Sequence, residues 1–152
     1  IMPGIFENGS ERISNDIPLL IGSTLNEFST PKVDQMVRPA VIQQATIRCN
    51  DGGAPVYVYL SSYQTPTLDG NNHACHNSDI PFFFNNVVKS AQMTGATKEG
   101  IALGDKMSSV LINFARTGNP NTKGLPKWPA FTPDTEATMV FDAPKCKVTY
   151  KE

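Results

Sequence analysis

Ile17-Pro18-Leu19-Leu20-Ile21-Gly22-Ser23 and Val56-Tyr57-Val58-Tyr59-Leu60, with a helical stretch between them, decide the fold. The first run is apolar along its length and bounded by turn residues, which suits a central parallel strand covered on both faces. The second alternates β-branched and aromatic residues, the composition of a pleated, half-buried surface. Between them Pro39 can open a helix, because the N–H it lacks is unpaired at a first helical position. Val41, Ile42, Ala45 and Cys49 then fall on one helical face, and Asn50-Asp51-Gly52-Gly53 stops the helix. Strand, helix and strand in this order form a βαβ unit, with a parallel pair and a right-handed crossover.

Outward from this unit, Thr97 to Thr117 is the strongest helix. Leu103, Met107, Val110, Leu111 and Phe114 line one face, and Gly118 with Pro120 ends it. Met139-Val140-Phe141 and Cys146-Lys147-Val148-Thr149-Tyr150 read as two short final strands. Ile1 to Asp16, rich in Gly, Asn, Ser and Pro, reads as loop, as does the polar stretch from Thr24 to Lys32. A parallel sheet buries both faces and needs more partners than these elements supply. The expectation is therefore an α/β fold, mostly parallel sheet with flanking helices, that forms half of a domain and is incomplete on its own. Residues 1–152 are read as that single partial domain.

The chain has 152 residues with 13 basic and 14 acidic side chains, so no nucleic-acid footprint or polybasic membrane patch is expected. No apolar run approaches the roughly 20 residues of a membrane helix. The start, Ile1-Met2-Pro3, is neither an initiator methionine nor a signal peptide; it reads as cut from something longer and indicates no compartment. Cys49, Cys75 and Cys146 match no zinc or disulfide framework. Asn8-Gly9-Ser10 satisfies the glycosylation triplet, a pattern that chance often produces.

The chemistry is concentrated in Asn72-His73-Ala74-Cys75-His76-Asn77-Ser78-Asp79-Ile80-Pro81-Phe82-Phe83-Phe84, which holds both histidines. A histidine in a polar loop, with a strand before it and a packed aromatic segment after it, can be held in one orientation, as proton transfer requires. His73 reads as an exposed loop histidine and Asp79 as a brace for its loop. Phe82 to Phe84 read as core, with one ring available to a pocket, and Trp128 reads as a packing anchor. His73, Cys75, His76 and Asp79 make a poor metal set: adjacent Cys75 and His76 rarely aim at one ion, and no second cluster completes a closed site. No metal and no cofactor is expected.

Four segments, in order, resemble the C-terminal part of the type-B carboxylesterase and cholinesterase family of α/β-hydrolases. They are Ile17 to Glu27, Gly53 to Leu60, His76-Asn77-Ser78-Asp79-Ile80-Pro81-Phe82, and Asn113 to Phe131 with its Arg116-Thr117-Gly118-Asn119-Pro120 and Lys127-Trp128-Pro129 runs. The resemblance implies a triad of serine, glutamate and histidine. Carried over by position, Glu27 is the acid and His76 the base, in the chain order of α/β-hydrolases. It further implies hydrolysis of small, fairly apolar esters.

The chain departs from the family pattern at three places. Gly-x-Ser-x-Gly occurs nowhere in the sequence, so the nucleophile is expected from another segment and the chain alone is expected to be inactive. Glu27 and His76 are 49 positions apart, where the family inserts a longer gorge-shaping region. The join is expected near Thr30-Pro31-Lys32-Val33. Phe28 stands where the family has glycine. The expected partners are an ester substrate in the complete enzyme and either the missing N-terminal half or a second copy. A different reading of the same fold is a catalytically silent cholinesterase-like adhesion module.

Overall fold

The computed structural model describes residues 14–28, 31–66 and 70–151, with side chains from residue 36 onward in the helix that begins at residue 31. Most of the N-terminal loop, the glycosylation triplet and residue 30 of the expected join lie outside the described residues.

Strands β1 (Leu19–Thr24), β2 (Val56–Ser61), β5 (Thr138–Phe141) and β6 (Lys147–Thr149) form one sheet in the order β1-β2-β5-β6. Leu19 pairs with Val56 and Thr24 with Ser61 in parallel, and Val58 with Thr138 in parallel; β6 closes the sheet antiparallel to β5. The parallel βαβ unit is as expected. Among the described residues β1 pairs only with β2 and forms the sheet's edge, so the second neighbour that a central place requires is not among them. A two-stranded ribbon, β3 (Thr65–Pro66) with β4 (Asn72–His73), lies outside the main sheet.

The helix α1 (Pro31–Asn50) corrects the expected start, since Pro39 sits inside it. Pro31 takes the first helical position, where a missing N–H costs nothing, and the loop expected to reach Lys32 is correspondingly shorter. Pro39 therefore occupies an interior position that normally costs about 3 kcal/mol. Neighbouring Arg38 offsets part of this by donating to Thr138 Oγ1 (2.6 Å) and the Tyr59 carbonyl (3.4 Å), which clips the helix to the sheet. At the other end buried Arg48 donates to the Ser14 and Ile17 carbonyls, favourably placed for a cation in a helix's last turn.

The alternation of β2 sorts the core into two. Val56 and Val58 face α1, where they pack with Val41, Ala45 and Phe131. Tyr57 faces the opposite side with Leu103, Met107, Val110, Trp128, Met139 and Phe141, and half-buried Tyr59 packs against that cluster. The last helix, α4 (Lys98–Thr117), covers this side. Thr97 Oγ1 accepts from the Gly100 N–H at its start, and Gly118, at φ 72°, ends it with its N–H on the Phe114 carbonyl. Two short helices, α2 (Ile80–Phe83) and α3 (Ala91–Thr94), precede it. Trp128 is buried between Tyr57 and Phe141, edge-on to both.

Candidate active site

The loops leaving β1 and β2 at the carboxyl edge of the sheet continue its ladder. Leu25 N–H donates to the Ser61 carbonyl (2.9 Å), Asn26 N–H to Ala74 (2.9 Å) and His76 N–H to Glu27 (3.0 Å). Asn26 and Cys75 pair as an isolated parallel bridge. The backbone itself therefore brings Glu27 beside His76. Asn77 then adopts φ 64°, a left-handed conformation that asparagine tolerates, and turns the chain towards α2.

The Glu27 carboxylate takes up both of its oxygens. Oε1 accepts from the Thr24 N–H at 2.7 Å, and Oε2 lies 2.6 Å from His76 Nδ1. An ionised carboxylate can only accept, so Nδ1 carries the hydrogen and Nε2 of the neutral ring is left as a proton acceptor. The Glu27 side chain is 11% exposed and that of His76 54%. The acid is recessed and the imidazole reaches outward. On one face of that imidazole lies the Phe28 ring, with centroids 5.1 Å apart and planes 19° from parallel.

A second carboxyl group stands behind the pair. Buried Asp79 accepts at Oδ2 from the Tyr59 hydroxyl (3.0 Å), which is how it braces its loop. Burial pushes the Asp79 carboxyl above its ordinary range; the Tyr59 hydrogen bond opposes this and the Glu27 charge adds to it. Burial, followed by the Asp79 charge, raises the Tyr59 phenol. Gly22 makes the arrangement fit: a Cβ there would meet the Tyr59 ring and stand 2.5 Å from the Tyr59 carbonyl oxygen.

Glu27, His76 and Asp79 open onto a cavity of about 380 Å³ whose apolar walls are Leu20, Ile80, Phe83, Phe84 and Leu111. The aromatic run thus divides its labour, with Phe82 in the core and Phe83 and Phe84 at the cavity. His73 lies apart in β4, half-buried, with its carbonyl accepting from Thr65 Oγ1 (3.2 Å). Among the described residues, no three His, Cys, Asp or Glu side chains are grouped to hold a metal. Two participants escape a reading of the sequence. Tyr59 lies 20 positions from Asp79, beyond any local pattern. Phe28 is visible in the sequence as a departure, but its stacking is not.

Comparison with known proteins follows this geometry. The para-nitrobenzyl esterase of Bacillus subtilis (strain 168) is 34% identical over 108 residues, which is 70% of this chain and 21% of that protein. Human cocaine esterase is 34% identical over 109 residues, 69% of this chain and 19% of that protein. The chain spans about a fifth of the length of these relatives. Among solved structures, a Geobacillus stearothermophilus carboxylesterase superposes with a TM-score of 0.71 at 26% identity, covering 91% of this chain and 37% of that one. A thermophilic para-nitrobenzyl esterase reaches 0.74 at 21% identity over 92% of this chain and 38% of its own, a likeness of fold alone. These structures share the α/β-hydrolase architecture of which the four-stranded sheet is a part. The profile of the carboxylesterase family matches residues 22–152, a span that includes Glu27, His76 and every strand but the start of β1, and the chain belongs to that family.

Proposed function

We propose that this chain supplies the acid, Glu27, and the base, His76, of a Ser-Glu-His triad that hydrolyses small apolar carboxylic esters. The 2.6 Å contact from Glu27 Oε2 to His76 Nδ1 carries the reading. His76 Nε2 takes the proton of a serine hydroxyl as that oxygen attacks the ester carbonyl, then returns it to the departing alcohol. Glu27 holds the tautomer and stabilises the imidazolium without taking the proton. The apolar walls of the cavity suit an apolar acyl or alcohol group.

The serine is supplied by a segment that does not contribute to the described structure. Two features favour its arrival at this cavity: among the described residues β1 has a strand on one edge only, and Ile80 and Phe84 leave 48% and 64% of their surface exposed beside the cavity. Hydrolysis of p-nitrophenyl acetate tests the reading. This polypeptide alone should show no His76-dependent turnover. Co-expressed with a carboxylesterase segment bearing Gly-x-Ser-x-Gly, it should gain turnover that His76→Ala and Glu27→Gln each remove. Robust turnover by the chain alone that disappears in His76→Ala overturns the supplied serine. Turnover of the assembled pair that survives His76→Ala overturns the assigned base.

A further inference from the structure

We infer that Phe28 is a positioning residue for His76, clamping the imidazole by its face while Glu27 holds it by its edge. The inference rests on the acid–base reading of Glu27 and His76. A hydrogen bond at Nδ1 fixes one atom of the ring, yet the terminal torsion of a histidine is broad and roughly two-fold. With 54% of its side chain exposed, His76 has little packing to narrow that torsion. A flip about it would exchange Nδ1 for a carbon and break the contact to Glu27. The Phe28 ring supplies the second restraint. Its plane is within 19° of the imidazole's at a centroid distance of 5.1 Å, an offset stack of the kind aromatic rings prefer.

The location makes the restraint specific. Phe28 follows Glu27 directly, and the Glu27 carbonyl is tied to the His76 N–H at 3.0 Å. Acid, clamp and base therefore share one rung of the ladder, and no distant element has to move for the stack to form. Phe28 is 52% exposed, so its ring is not needed to fill the core. Substitution there should leave the fold intact, and the single tryptophan, buried Trp128, reports on that by its fluorescence.

With only two histidines, the imidazole resonances of His76 are assigned by comparison with a His73→Gln variant. In the unsubstituted chain the ring protons of His76 should lie upfield of those of His73, displaced by the Phe28 ring current. Phe28→Leu should abolish that displacement and speed carbethoxylation of His76 by between about twofold and tenfold, the range an aromatic pair's stabilisation spans. Phe28→Trp should restore both. His76 resonances that do not change in Phe28→Leu, or a Phe28→Trp variant that resembles Phe28→Leu, overturn the positioning role and leave the acid–base reading standing. Esterase turnover that survives His76→Ala in the assembled pair overturns the acid–base reading, whatever the resonances show.

Discussion

On one side of β2 the sheet presents Val56 and Val58 to α1; on the other the same strand presents Tyr57 and Tyr59 beneath α4. The aliphatic side fills volume with small, mostly branched side chains and a single buried ring, Phe131. The aromatic side interlocks edge to face, Tyr57 with Trp128 and Phe114, Phe141 with Trp128 and Phe83. Rings packed this way fix orientation as well as distance. One of them, Tyr59, extends the packing into chemistry by donating to Asp79. The candidate site is thus an outgrowth of the aromatic side, and the aliphatic side supports it from behind.

Substitutions on the two sides should separate these roles. The largest effect is expected from Trp128→Ala, which empties the middle of the aromatic cluster and should cost about 3–5 kcal/mol in urea unfolding. A cost below that of Val58→Ala would dissolve the contrast. Gly22→Ala should come next, at about 2–3 kcal/mol, because the added methyl meets the Tyr59 ring and carbonyl. Its distinguishing sign is loss of the Tyr59–Asp79 hydrogen bond, read from the tyrosine hydroxyl resonance. Val58→Ala should cost about 2 kcal/mol and leave that bond in place.

Asp79→Asn should give the smallest effect, with a defined pH dependence. Burial raises the folded-state value of this carboxyl above 3.8, so the folded chain holds the proton more tightly than the unfolded one. Stability from this group is full below about pH 4 and declines as pH rises through the raised folded value. Asparagine still accepts from Tyr59 and never ionises. The variant should melt higher than the parent at pH 7 and match it near pH 3. An equal difference at both pH values would show that ionisation of Asp79 is not the cause.

The parts of this molecule legible in its sequence are those with a long repeat. The valine–tyrosine alternation of β2, the helical spacing from Leu103 to Phe114 and the Gly118 stop can each be read from consecutive residues. Two-residue strands such as β3 and β4 have no period to detect. The start of α1 was masked by Pro39, which as a single residue signals a helix beginning more strongly than a helix interior. At the site, Glu27 and His76 were legible through the resemblance of Ile17 to Glu27 and of His76 to Phe82 to the carboxylesterase family. Tyr59 was not, because its link to Asp79 exists only once Gly22 lets the tyrosine ring lie across β1.

The rungs joining Asn26 to Ala74 and Glu27 to His76 have a consequence for how this chain can change. The spacing of Glu27 and His76 is set by the repeat of a parallel ladder and owes nothing to the length of polypeptide between them. Segments can be inserted or deleted where α1 begins while Glu27 and His76 stay paired, so the parts of the chain around that pair are free to diversify.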